Sequence, residues 1–250
     1  MKISIITVCF NSSSTIEETF KSVQNQSYKN IEYIVIDGGS NDGTLDLIKS
    51  YQKNITFWKS EKDKGLYDAI NKGIELATGD YIGILNSDDT FFNNDTIKNV
   101  ADCLNKLTNI DAIIGDIVQH KNKKIIRKYS SKNWKPEKLK VGFMPPHPSI
   151  FIKRKLFKEL GNYSLGYKIG ADYELIIRYF LKNNISYKYS GITTTSMAVG
   201  GASSSGIKSY NKITKEVKKA FEQNDILYSH NRVKYRFFWK LFDFINRKIL

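Results

Sequence analysis

The 250-residue chain predicts an α/β domain: a Rossmann-like, mostly parallel central sheet flanked by helices. Three observations predict it. Apolar runs of strand length alternate with segments whose apolar residues recur at helical spacing. A polar cluster closes each of these runs. A composition of 41% hydrophobic and 13% aromatic residues, at this length, suffices for one substantial core.

Taken in order, Lys2 to Phe10 is an Ile- and Val-rich run of strand length. After NSSS, the spacing of Ile16, Thr19, Phe20 and Val23 predicts a helix, with Thr15 and Glu18 as a capping box. IEYIVI is the second strand, ended by DGGSNDGT. Leu45, Ile48 and Tyr51 predict the next helix and ITFWKS the third strand. Leu66, Ala69, Ile70, Gly73, Ile74 and Ala77 form a helical stripe, and YIGILN follows as the fourth strand.

In parallel sheets, ligands sit beyond the carboxyl ends of the strands. Thr7–Asn11, Asp37–Thr44 and Asn86–Asp89 fall there, and SEKDKG closes the third strand in the same way. Neither a dinucleotide fingerprint nor a P-loop is present, so the usual glycine cradle for phosphate is missing. Carboxylates take its place. A hard divalent cation, Mn²⁺ or Mg²⁺, reconciles Asp88 beside Asp89 with a diphosphate ligand, because both offer oxygen ligands. Asp68 and Asn71, one turn apart on the third helix, share a face beside the same pocket or form a plain polar helix face.

ITVCFN, IEYIVIDGGSNDGT, SEKDKGLYDAINKGIELATGDYIGILNSDD and GADYELIIRYF together resemble the family 2 glycosyltransferases of GT-A fold. The likeness runs from about Lys2 to about Ser203 and is closest to bacterial enzymes of capsule, exopolysaccharide or lipopolysaccharide synthesis. It implies inverting transfer of a hexosyl or N-acetylhexosaminyl group from a nucleotide diphosphate sugar, UDP being the frequent case, to a glycan or lipid-linked glycan. Asn86-Ser87-Asp88 stands at the family's D-x-D element, with Asn86 at the first Asp. The resemblance therefore puts the metal on Asp88, with Asp89 in support. Asp37 and Asp63 match nucleoside-contacting positions, together with backbone near Thr7.

Inversion by direct displacement needs a base for the acceptor hydroxyl. The resemblance assigns this to Asp172, with Ala171 where an acidic pair would begin and Glu174 as the fallback. Asp172 also suits a helix cap. His147, among prolines, takes an acceptor-side or metal role by the same resemblance, against an ordinary structural one. VGGASSS at 199–205 is similar to a Gly-Gly-x-Ser element closing the family's catalytic core, and Arg178 reads as a surface arginine.

Net charge is +14 and unevenly placed, with −6 over residues 1–119 and +20 over 120–250. Two halves of the catalytic domain follow, 1–119 for donor and metal and 120–206 for acceptor, with a basic helical extension over 207–250. In YRFFWKLFDFINRKIL, Phe238, Leu241, Phe242, Ile245 and Ile249 oppose Arg236, Lys240 and Arg247. Such a helix suits peripheral contact with an anionic membrane, or docks on its own domain or a dimer partner. No nucleic-acid motif accompanies the charge, and the acidic half repels a phosphate backbone. Cys9 and Cys103 lack metal-ligand spacing, and neither a signal peptide nor an 18-residue apolar stretch is read. A cytoplasmic protein on the inner face of the membrane is expected. A sugar nucleotidyltransferase and a non-catalytic nucleotide-sugar-binding module are the rival readings.

Overall fold

The computed structural model describes residues 1–121, 124–199 and 206–234. The helix expected over 235–250 lies outside them, as does all but Val199 of VGGASSS. The chain divides into two compact units, each made of three segments. The first is Met1–Lys132, Pro145–Leu165 and Ile185–Val199; the second is Asn133–Met144, Gly166–Asn184 and Gly200–Leu250. Packing therefore does not divide the chain at 207.

The first unit holds the whole sheet. Its first strands are β1 (Ile3–Cys9), β2 (Ile31–Asp37), β3 (Phe57–Ser60) and β4 (Tyr81–Ile84), joined through α1 (Ile16–Gln24), α2 (Thr44–Tyr51) and α3 (Leu66–Leu76). These strands pair in parallel, in the order β3-β2-β1-β4. The predicted elements are thus present. β1 is buried along its full length because both sheet faces are covered, which explains its unbroken apolar run. The capping box is not formed: the Thr15 hydroxyl donates back to the Ser12 carbonyl and accepts no helix N–H. Leu66 is also outside the stripe's buried face, where Tyr67 is buried instead.

Beyond β4 the sheet becomes mixed. β5 (Asp89–Phe91), α4 (Thr96–Asn105), β6 (Ala112–Lys121), β7 (Lys124–Tyr129), β8 (Ile150–Lys153), α5 (Lys155–Leu160) and β9 (Tyr187–Ala198) follow. Spatially the order continues β8-β6-β9-β5, with β7 on β6. β8 runs antiparallel to both β4 and β6, while β6 and β9 are parallel. At the sheet's amino end, Glu32 is buried and accepts from Ser4, the Thr78 hydroxyl and backbone, and Lys2. This carboxylate ties β1 and β2 to the turn that precedes β4.

The second unit is helical. α6 (Ala171–Ile176) runs on into a π-helical turn over Ile177–Lys182, and α7 (Gly206–Gln223) and α8 (His230–Lys234) follow. Val217, Ala220 and Phe221 give α7 a buried face, and the Phe221 ring meets Tyr173 of α6 edge-on at 6.3 Å. The first part of the predicted basic extension is therefore packed into a core.

Candidate active site

The four parallel strands end at one edge of the sheet, and there the polar clusters gather. From β1 the chain winds outward to β2 and β3, then returns to place β4 on β1's other side. The β1/β4 boundary is thus a topological switch point, where α/β sheets open a ligand crevice. Phe10–Ser13 leaves β1 on one side and Leu85–Asp88 leaves β4 on the other. Ser12 Oγ and Ser87 Oγ bridge them at 2.9 Å.

Asp37, the last residue of β2, is fully buried. Ser60 donates to Oδ2 at 2.6 Å, the Gly39 and Ser40 amides donate to the same oxygen, and Ser40 Oγ donates to Oδ1. Burial alone would push this carboxyl up; these hydrogen bonds overcome it and hold it below the usual range. Asp37 therefore shapes the turn. Ser40 in turn accepts from the Asn11 amide at 2.8 Å, and Asn41 donates to Asn11 Oδ1 at 3.0 Å. Asn11 adopts φ +50°, a left-handed conformation that Asn tolerates. Asp42 accepts from Thr44 and the Ser13 amide, which lowers its pKa. The β1 and β2 loops are consequently one interlocked surface.

Thr7 sits two residues inside β1, buried, accepting from Tyr33 OH at 3.0 Å. The mouth of β1 begins at Phe10, a residue the motif spacing did not single out, and this residue is 63% exposed. Asp63 lies directly over Gly38, where an added Cβ would stand 2.5 Å from Asp63 Oδ2. Only glycine admits that approach. Beneath them Cys9 is buried beside Asp37, so its thiol is pushed up and stays protonated.

The two aspartates after β4 differ. Asp88 is exposed on the turn; Asp89, the first residue of β5, is buried. Burial, then the neighbouring Asp88 charge, raises the Asp89 carboxyl to about 7 against the Asn86 hydrogen bond. Among the described residues, no group of three or more His, Cys, Asp or Glu side chains could hold a metal ion. The donor set still fits a cation of the Mg²⁺ type, which takes one or two carboxylates and fills its remaining positions with phosphate oxygens and water.

Asp68 accepts from the Lys64 amide and pairs with Lys72 at 3.3 Å; the Lys64 bond and then the cation lower its pKa. Asn71 faces elsewhere. It donates to the Tyr163 carbonyl at 2.8 Å and accepts from the Tyr163 amide at 2.9 Å, so its amide is committed to a loop 92 residues on. His147 Nε2 bonds the same tyrosine's hydroxyl. Burial lowers this histidine's pKa to about 4, leaving it neutral at physiological pH. Tyr163, which sequence reasoning missed, stacks on Tyr67 at 5.8 Å.

In the second unit, Asp172 is the second residue of α6, and Gly170 holds the cap position. Its Oδ1 accepts from the Tyr173 amide at 2.7 Å. Glu174 is buried, with Arg178 bidentate on it at 2.9 Å through both contacts and Asn224 donating at 3.1 Å. Arg178 is therefore an internal partner, only 15% exposed along its side chain, and not a surface arginine.

The family model for glycosyl transferase family 2 matches residues 4–170. The chain belongs to that family. An uncharacterized glycosyltransferase of Mycobacterium tuberculosis is 32% identical over 191 residues, covering 70% of this chain and 68% of the relative. A PGL/p-HBAD biosynthesis glycosyltransferase of Mycobacterium bovis is 28% identical over 200 residues, covering 77% and 75%. Among solved structures, Staphylococcus aureus TarS 1–349 in complex with UDP-GlcNAc superposes with TM-score 0.71 at 18% identity, covering 94% of this chain and 70% of that one. The mannosyltransferase PcManGT of Pyrobaculum calidifontis, in complex with GDP-Man and Mn²⁺, gives TM-score 0.65 at 16% identity, covering 94% and 69%. The GT-A-like fold is thereby shown.

Proposed function

We propose that this glycosyltransferase moves a hexosyl or N-acetylhexosaminyl group, with inversion, from a nucleotide diphosphate sugar to a hydroxyl of a glycan or lipid-linked glycan in surface polysaccharide synthesis. The observation that carries the reading is the set of loops at the β1/β4 switch point, rich in carboxylates and without a glycine cradle for phosphate. A UDP sugar is the proposed donor; TarS, with the same fold, has been solved with one.

In this reading the interlocked β1 and β2 loops form the nucleoside shelf. Phe10 offers an aromatic face to the base, Asn11 and Asp63 offer polar contacts, and Asp37 acts by holding the turn. Asp68 lies at the start of α3 on the same side, and Asn71 and His147 act through Tyr163. Asp88, supported by Asp89 and Asn86, would hold Mn²⁺ or Mg²⁺. Such a cation, when bound, stabilises charge on the departing diphosphate. Asp172 takes the proton of the acceptor hydroxyl as its oxygen bonds to the anomeric carbon and the bond from that carbon to the diphosphate oxygen breaks.

No helix among the described residues is long and apolar enough to cross a membrane. Peripheral contact with an anionic inner leaflet is the proposed mode of attachment. Ile125 and Ile126 on β7 are 59% and 56% exposed beside Lys124, Arg127 and Lys128, a combination that suits a lipid interface. The basic segment 235–250, expected from its sequence to be an amphipathic helix, is proposed to act with them.

Incubating purified protein with UDP and GDP sugars, Mn²⁺ and a hydroxyl acceptor tests the reaction. Release of nucleoside diphosphate is expected. In a parallel incubation with UTP or GTP and a sugar 1-phosphate, release of pyrophosphate would indicate a nucleotidyltransferase, and donor binding with neither turnover nor donor hydrolysis would indicate a binding module.

A further inference from the structure

Three successive backbone amides point at one carboxylate just ahead of α6. Lys168 donates to Glu216 Oε1 at 3.0 Å, while Ile169 and Gly170 donate to Oε2 at 3.0 and 2.7 Å. A run of backbone N–H groups of this kind is an anion-binding nest. Here its anion comes from the middle of α7. The same face of α7 grips the preceding residues. Lys219 Nζ donates to the Gly166 carbonyl at 2.9 Å and lies 4.7 Å from the Tyr167 ring centre, and Tyr167 OH donates to Gln223.

The grip continues into α6. The Gly170 carbonyl accepts from the Glu174 amide at 3.0 Å, the first turn of that helix. Glu216 therefore fixes Gly170 through its N–H, and Gly170 fixes the start of α6 through its C=O. Asp172 lies between the two ends of that turn. The fit is close, since an added Cβ on Gly170 would stand 3.2 Å from Glu216 Oε2 and 3.3 Å from its Cβ.

We propose that Glu216 is a positioning residue for sugar transfer: by filling the Lys168–Gly170 nest it sets the origin of α6 and thereby the place of Asp172. This rests on Asp172 being the base. A carboxylate is suited to the task because two acceptor oxygens serve three donors. An amide at the same place would turn an NH₂ group toward at least one of them.

The test uses the full chain and the variants Glu216→Gln, Gly170→Ala, Asp172→Asn and the Glu216→Gln/Asp172→Asn double variant. Hydrogen exchange, which needs no substrate, reads the nest directly. In Glu216→Gln, exchange at 168–170 should rise about tenfold to hundredfold, in keeping with charge-assisted hydrogen bonds, while the strands of the first unit stay protected. Gly170→Ala, which crowds the nest and keeps its charge, should move the same amides. Kinetics use whichever of UDP-GlcNAc, UDP-glucose, UDP-galactose and GDP-mannose the wild type hydrolyses or transfers fastest. With that donor, Glu216→Gln should lower kcat about tenfold or more and leave KM within about twofold. It should add no further loss in the Asp172→Asn background. Unchanged exchange at 168–170, wild-type kcat in Glu216→Gln, or an additive loss in the double variant would each overturn the proposal. Wild-type turnover in Asp172→Asn would instead remove the base assignment on which it rests.

Discussion

The side-chain amide of Asn86 donates to Asp89 Oδ2 across 3.0 Å, at the point where β4 gives way to β5. Asn86 thus braces a buried carboxylate, and Asp88 between them is the one that faces solvent. Asp88→Ala should therefore abolish the rise in melting temperature that Mn²⁺ and UDP together produce in the wild type. Ligand at about 100 times its Kd stabilises by about 2.7 kcal/mol, well within reach of a thermal-shift measurement. An undiminished shift in Asp88→Ala would move the cation elsewhere.

Asp172→Asn keeps the shape of the side chain and its acceptor for the Tyr173 amide, but removes the carboxylate proposed as the base. Turnover should fall by about 10²–10⁴, the usual worth of a general base. The UDP-induced thermal shift should persist, because the loops proposed to hold the nucleoside belong to the first unit.

Glu174→Gln separates the fallback base from a structural role. It removes the negative charge from the bidentate contact with Arg178 inside a largely buried pair, which should lower stability by up to about 3–5 kcal/mol. Chemical denaturation checks this. A variant of wild-type stability with lost turnover would reinstate Glu174 as a reacting group.

Glu32 governs stability in acid. Burial pushes its carboxyl up, but Ser4, Thr78 and Lys2 outweigh burial and bring it from 4.5 down to about 2. A carboxyl depressed in the folded state contributes stability that is present in full above its unfolded pKa and is lost as pH falls toward the folded one. Wild-type stability should therefore drop by about 3 kcal/mol on this account between about pH 5 and pH 2. In Glu32→Gln that part of the slope should vanish, and stability at pH 7 should be lower. Urea melts across that range give both numbers.

The parallel part of the sheet was legible because its signals are local. Strand length, helical spacing and the polar clusters that end β1, β2, β3 and β4 lie within about ninety residues of continuous chain, and all four clusters reach one sheet edge. Thr7 lies two residues inside β1 and its hydroxyl is engaged by Tyr33, which an unbroken apolar run does not reveal. The letters of Asp88 and Asp89 are the same; only the start of β5 makes one exposed and the other buried. Asn71 looked pocket-facing from its spacing to Asp68, yet its partner Tyr163 lies far along the chain and carries no motif. Glu216 left no signal, because a nest of backbone amides has no side-chain signature.

Covering Cys9 has a practical consequence for spectroscopy. The only other thiol in the sequence, Cys103 on α4, is partly accessible, while Cys9 lies beneath Asp37 with its proton held in place. Brief maleimide treatment of the native enzyme should attach a single dye, on α4, without engineering out either cysteine. Such a label could follow substrate engagement by fluorescence from a fixed and known address.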